Sequence, residues 1–497
     1  MALTSSNATT VITPPALDRR RLGVLSVTFM IVAASAPLTV LAGGVTTTFA
    51  VTGVIGVPLS FILLGLVLTL FAVGYASMSR FVTNAGAFYA YVAQGLSRPL
   101  GVGAALVALV SYNLMQVGIY GLFGFTVASM MSAKLGVDVP WWVPVIVCIA
   151  IVGALGVNRV DLSAKVLGVL VGLEFLAVIV YDIMAFAAAP EGLSAAAFNP
   201  ESLFVPGIGA VFAFGIAAFM GFESAAIYGE ESKDPRKTVA RATYLAVAVI
   251  SSFYAISAWA MTVGAGPSAI VAESTESGPD LLFAFLETHG AVLLSDLAQI
   301  LFVTSIFASL VSFHNAVARY FFSLGRERVV PVVLSRVRRT SGAPFAGSLA
   351  QTAIAVVLTI GFAIAGSGSD LGELYPVLTM FTWLTNSGAL GLVLLMSVVS
   401  LAVIGFFRRQ SGVDTSMWKH RVAPALAFVL LGTVTVLIVT NFDVLLGQPE
   451  PTALTYLLPA MIVLPGVAGV LWGLRLKRTR PALYKAIGHG PEQAPEA

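Results

Sequence analysis

The sequence holds a single cysteine, Cys148. No disulfide can close within the chain, and no multi-cysteine metal or iron–sulfur site can be built. Histidine is nearly as scarce. The four, at 289, 314, 420 and 489, show no ligand spacing, which argues against zinc or haem chemistry and leaves no metal or cofactor to expect. Charge is also thin: 10% of the 497 residues are charged, against roughly 25% in an average soluble domain, while 58% are hydrophobic. A soluble protein of that make-up could not clothe its surface, so the composition is that of a membrane protein. With 27 basic and 24 acidic residues the formal charge is +3, and no basic surplus points to nucleic acid as a partner.

What the chain has instead is long apolar runs. Crossing about 30 Å of hydrocarbon takes roughly 20 mostly apolar residues in a helix. That window gives twelve spans, near 22–49, 54–78, 98–131, 141–157, 163–187, 206–229, 239–263, 292–318, 347–366, 376–406, 421–441 and 453–475. The first is followed closely by another and is broken by Pro37, which argues against a cleaved signal peptide despite Arg19-Arg20-Arg21 ahead of it. Basic loops stay cytoplasmic. Starting from that arginine cluster inside, alternate connections carry Arg80 and Arg98, Arg159, Lys233 to Lys237, Arg319 to Arg339, and Arg408 to Arg421, while Lys134 alone of the 27 basic residues falls outside. The outer loops hold Glu191, Glu201, Glu273, Glu276, Asp280, Asp370 and Glu373. Twelve spans with both termini cytoplasmic follow, in a cell (plasma) membrane. The polar ends, 1–18 and 481–497, read as disordered, and 319–346 reads as an amphipathic helix lying at the membrane surface or against the helix bundle.

Two spans are interrupted near mid-depth. Ala33-Ala34-Ser35-Ala36-Pro37 breaks the first and Phe219-Met220-Gly221-Phe222-Glu223-Ser224 the sixth. Pro37 lacks a backbone donor and Gly221 resists helix continuation. In hydrocarbon, freed backbone groups are tolerated only beside protein or a water-filled cavity. Breaks five spans apart suggest two inverted five-helix repeats, 19–187 and 206–406, with a binding site between them and 421–475 added as two further helices. Carboxyls at depth mark the same region. Glu223 adjoins the second break and Glu174 sits mid-span in the fifth, where a carboxyl is costly and faces a cavity or a partner. Asp182 and Asp296 read as helix-end carboxylates reaching the interface.

Three segments resemble the amino acid–polyamine–organocation superfamily of secondary transporters: Asn84-Ala85-Gly86-Ala87-Phe88-Tyr89-Ala90-Tyr91 running to Pro99-Leu100-Gly101; Gly221-Phe222-Glu223-Ser224 followed by Glu230 to Lys237; and Phe313-His314-Asn315-Ala316 followed by Arg319-Tyr320 and Gly325 to Pro331. The resemblance implies an all-α LeuT-type fold of 5+5 inverted repeats plus two C-terminal helices, moving amino acids or related amines by alternating access. Carried over by position, the pocket takes Ser35, Ala36, Pro37 and Leu38 from span 1; Ser111, Tyr112 and Gln116 from span 3; Phe219, Met220, Gly221 and Phe222 from span 6; Phe313 from span 8; and span 10 around Trp383 to Ser387. One departure is local: where many relatives have a Gly-Ser-Gly type break, this chain has Ala34-Ser35-Ala36, whose methyls restrict close approach. In LeuT-type folds a sodium ion can bridge spans 1 and 8 near span 5, and in some proton-coupled relatives a lysine takes its place; Glu174 falls there. A protonated Glu174 donating to a carbonyl of span 1 or 8 would close the inward path.

Half-helix amino ends favour a carboxylate and exposed carbonyls an ammonium. Phe219, Phe222, Phe313 and Tyr112 offer walls against water, and a ring can contact the ammonium. The expected function is import of an amino acid or related amine, coupled to protons through Glu174 and gated at Glu223, with exchange as the alternative. A membrane-embedded enzyme lacks a nucleophile–base pair, His314 beside Asn315 being the nearest approach, and a receptor without transport is the remaining class.

Overall fold

The computed structural model describes residues 23–82, 88–158, 164–223, 235–338, 340–410, 416–448 and 450–488. Among the described residues every regular element is helical, which suits apolar segments that must satisfy their own backbone away from water. The first span is a broken pair, α1 (Val24–Ala34) and α2 (Thr39–Thr52). Then come α3 (Val57–Met78), the short α4 (Phe88–Gly95), α5 (Arg98–Leu135), α6 (Trp142–Asn158) and α7 (Ala164–Ala188). They are followed by α8 (Ile208–Ala218), α9 (Pro235–Ala265), short α10 (Ile270–Ser277) and α11 (Leu281–Thr288), α12 (Val292–Arg326), α13 (Phe345–Ala365) and α14 (Gly372–Arg409). The last are α15 (Trp418–Thr440), α16 (Ala453–Thr479) and α17 (Pro481–Ala486). Among the described residues nine helices are long and apolar enough to cross a membrane, and α2, α6 and α8 are shorter apolar helices.

Two expectations change. The amphipathic helix expected over 319–346, at the membrane surface or against the bundle, is not a separate element, because α12 runs on to Arg326 and a short 3₁₀ turn follows at Val332–Ser335. Tyr320, Phe321 and Leu324 turn inward and are buried, so the apolar face meets protein rather than lipid. The tail expected to be disordered from 481 holds α17, and beyond it Gln94 Nε2 donates to the Gly488 carbonyl at 2.8 Å while Ile487 is buried. The expected disordered residues 1–18 and 489–497, the arginines 19–21, Arg159, and the motif residues 84–87, 224 and 230–234 lie outside the described residues.

Loop contacts sort the helix ends into two groups. At one end Gly56 N–H donates to Ser202 O (3.1 Å), Gly207 N–H to Asn441 Oδ1 (2.9 Å) and Ser129 to Asp280 (2.8 Å). Lys134, the lone lysine or arginine there among the described residues, pairs with Asp296 at 2.6 Å and Glu287 at 3.4 Å. At the other end Arg409 donates to Leu96 O (3.0 Å), Arg338 to Asn158 Oδ1 (2.6 Å), and Tyr89 to Glu327. We call these the acidic and the basic end.

Helix α5 is the central post, buried over most of its length. Without a hydrophobic drive between helices in lipid, close packing relies on small residues. A Cβ on Gly388 of α14 would lie 2.7 Å from the Ser111 carbonyl, and one on Gly391 would lie 1.9 Å from the Ser111 hydroxyl. These contacts clamp α14 to α5. The mid-depth breaks in α1–α2 and after α8 lie across from this post.

Candidate functional site

The first break turns on Ala36, which takes φ +51°, a left-handed conformation that costs an L-residue roughly 1–2 kcal/mol. Pro37 follows, restricting its predecessor and presetting φ for the helix beyond. The second break comes where α8 ends at Ala218, and Gly221 takes φ +103°, which glycine alone adopts without a side-chain penalty.

Both breaks border one cavity. Ser35 and Ala36 reach it from the first break, and Ala217, Ala218 and Met220 from the second. From there it extends toward the acidic end along α2 as far as Thr48 and along the first turn of α3 at Val57 and Ser60. Its remaining walls are Phe61, Met115, Ile119, Phe214, Phe313 and Phe381, with hydroxyls of Thr39, Ser309 and Thr385. A larger hollow lies further toward the acidic end, bordered by Thr47, Ser274, Asp370, Tyr375 and Trp383.

Toward the basic end the cavity is closed by packed rings organised on Glu223. Tyr112 donates to its Oε1 at 2.5 Å, the Gly221 N–H donates to its Oε2 at 3.0 Å, and Tyr75 donates to its main-chain carbonyl at 2.9 Å. Tyr112 meets Tyr320 at 5.4 Å and Phe313 at 6.2 Å between centroids, Tyr75 meets Tyr91 at 5.1 Å, and Phe222 meets Phe71 edge-on at 5.9 Å. Glu223 thus ties α5 and the second break together through its carboxylate, and α3 through its main-chain carbonyl.

Glu174 makes the corresponding tie at the first break. It sits on α7 between α2 and α12, the location expected for it, but the expected polarity is reversed: its Oε2 accepts rather than donates. The donors are the Leu38 N–H at 3.3 Å, left free by the helix break, and the Ser305 hydroxyl at 2.8 Å. Thr39 in turn donates to Ser305 at 3.1 Å. Ser35 Oγ donates to Val32 O at 2.8 Å, which leaves the Tyr254 hydroxyl, 2.9 Å away, to donate to Ser35. Asp182 does not reach an interface as expected; it is buried against α9, accepting from Ser257 at 2.7 Å.

Of the residues expected at the site, Ser35, Ala36, Met220 and Phe313 line the cavity. Leu38, Tyr112 and Gly221 act one layer out, holding the two glutamates, while Pro37 shapes the break. Phe219 packs on Phe61 at 6.2 Å, and Phe222 lies in the ring plug. Ser111 and Gln116 face elsewhere. Ser111 is clamped against α14, and Gln116 accepts from Gln351 and donates to His314 Nδ1 at 3.4 Å. His314 Nε2 bonds Ser348 at 2.7 Å, so this histidine belongs to a seam of α5, α12 and α13. Around span 10, Thr385 lines the cavity and Trp383 the outer hollow. Missed altogether were Thr39, Gly44, Thr48, Ser60 and Ser309; the run Gly43-Gly44 followed by Thr46-Thr47-Thr48, small and polar inside an apolar span, was the signal available. Among the described residues no cluster of three or more His, Cys, Asp or Glu could hold a metal ion.

Apolar helices packed around an internal cavity bordered by two helix breaks define a multi-pass membrane protein. The family is resolved by sequence: the amino acid permease family model matches residues 26–481, and the chain belongs to that family. No individual curated protein matches the chain.

Proposed function

We propose that this protein imports an amino acid or related amine across the cell membrane by alternating access, driven by protons. The observation that carries the reading is that both helix breaks border one cavity. The amino end of α2 and the carboxyl end of α8 converge on it, a positive and a negative pole for the two charged groups of an amino acid. In this reading the chain crosses the membrane twelve times as two inverted LeuT-type repeats, 19–187 and 206–406, plus α15 and α16, with both termini cytoplasmic. The basic end faces the cytoplasm by the positive-inside rule. The cavity then stands on the outer side of a closed inner plug, an outward-facing arrangement.

Glu174 carries the coupling proton and Glu223 the inner gate. Ionised, Glu174 accepts from Leu38 and Ser305 and holds the first break against α12; neutralised, it loses part of that hold and the helices are freer to part. Glu223 does the same for the ring plug through Tyr112 and Gly221. No step calls for bond-making chemistry, so the protein acts as a carrier and not an enzyme.

The test is uptake of labelled amino acids and amines by proteoliposomes with and without an inward proton gradient. Gradient-driven accumulation supports the reading. Uptake only into vesicles preloaded with substrate would favour obligatory exchange instead, and binding without any uptake would reduce the protein to a receptor. Gly221→Leu, which places a branched side chain at φ +103°, is expected to abolish uptake while the protein stays in the membrane.

A further inference from the structure

We infer that the cavity selects amino acids with an uncharged, apolar side chain and rejects substrates that carry any charge beyond the amino and carboxyl groups. This rests on the transport reading above and narrows its substrate class from amino acid or amine. Among the described residues no lysine, arginine, histidine, aspartate or glutamate lines the cavity. The two carboxylates nearby are engaged behind its walls, Glu174 by Leu38 and Ser305, Glu223 by Tyr112 and the Gly221 N–H. A second cation or anion entering the cavity therefore finds no counter-charge, and a buried unpaired charge is strongly disfavoured.

Apart from Ser309, a single neutral donor that does not balance a full charge, the lining hydroxyls do not fill the gap, because their hydrogens are already committed. Ser35 donates to Val32 O, Thr39 to Ser305, Thr48 to Gly44 O, Ser60 to Val57 O and Thr385 to Phe381 O. Such hydroxyls present lone pairs, which tolerate one ammonium near the helix breaks but cannot donate to a side-chain carboxylate. Met115, Ile119, Val211, Phe214 and Phe381 also line the cavity, an apolar surface for an apolar side chain. Gly44 sets its capacity: a Cβ built there meets nothing within 4 Å, so the space above it is open to the substrate.

The test measures equilibrium binding to the purified full-length protein, by displacement of a labelled neutral amino acid and by thermal shift, so that selectivity is read separately from transport. The probes are leucine, methionine and phenylalanine against lysine, arginine, glutamate and putrescine. Leucine, methionine or phenylalanine is expected to bind at least about 100-fold more tightly than any of the four charged compounds. Gly44→Val is expected to weaken phenylalanine more than alanine, a shift in size preference that a general folding defect does not produce. Binding of lysine, glutamate or putrescine within tenfold of leucine would overturn the selectivity and leave the transport reading standing. Failure of every compound to bind would overturn both.

Discussion

The Leu38 N–H points at the Glu174 carboxylate across 3.3 Å, from the first turn after a helix break to the middle of α7. That donor exists because the break removes its intrahelical partner, and Pro37 just before it has no N–H to offer. The same oxygen takes the Ser305 hydroxyl, so one carboxylate oxygen joins three helices. A group in that position senses both its own protonation and the separation of α2 from α12.

Glu174→Gln keeps the shape and removes the titration. Its amide nitrogen cannot accept from Leu38, although its oxygen can. Substrate binding and substrate-for-substrate exchange are expected to survive within about threefold, an interaction change worth under roughly 1 kcal/mol. Accumulation driven by a proton gradient is expected to vanish. Proteoliposomes with an imposed gradient check this, and gradient-driven accumulation by the variant would remove Glu174 from the coupling role.

Glu223→Gln tests the inner plug. Tyr112 and the Gly221 N–H both donate to this side chain, and a bond to a charged group contributes about 1.5–3 kcal/mol. The neutral amide weakens the plug at every pH. Transport measured from acid to alkaline conditions is expected to show a flattened pH dependence, with the part due to Glu174 remaining, while binding is retained; an unchanged, steep profile would exclude Glu223 as the gate's sensor.

Ala36→Gly addresses the strain at the first break. An alanine at φ +51° costs roughly 1–2 kcal/mol, partly offset by the greater flexibility of glycine when unfolded. The variant is expected to be more stable by about 0.5–1 kcal/mol, read as a rise in melting temperature in detergent, and to bind substrate at least as well because a methyl at the breach is gone.

How much of this was legible in the sequence differs by the kind of information required. Pro37 and Gly221 mark the breaks because helix termination is a local property of those residues. The place of Glu174 came through a family resemblance, whereas the direction of its hydrogen bonds depended on which donor the break would free. Ser111 and Gln116 show where periodicity fails. Helix α5 is buried almost all round, so no polar stripe distinguishes the side that faces the cavity. Ser111 lies on the same face as Met115 and Ile119, one turn nearer the basic end, where Gly388 and Gly391 bring α14 too close for any cavity. Thr48 and Ser60 escaped notice because attention to the breaks places the site at mid-depth, while the cavity continues toward the acidic end.

The most direct measurement is labelled-substrate uptake by proteoliposomes carrying Gly44→Trp beside the unaltered protein. At Gly44 a side chain enters open cavity without meeting the fold, so the variant is expected to reconstitute and melt normally. An indole there occupies the cavity on the acidic side of the breaks, and uptake is expected to fall at least about 100-fold, with binding lost in parallel. Uptake equal to that of the unaltered protein, with the cavity filled, would contradict its assignment as the transport site.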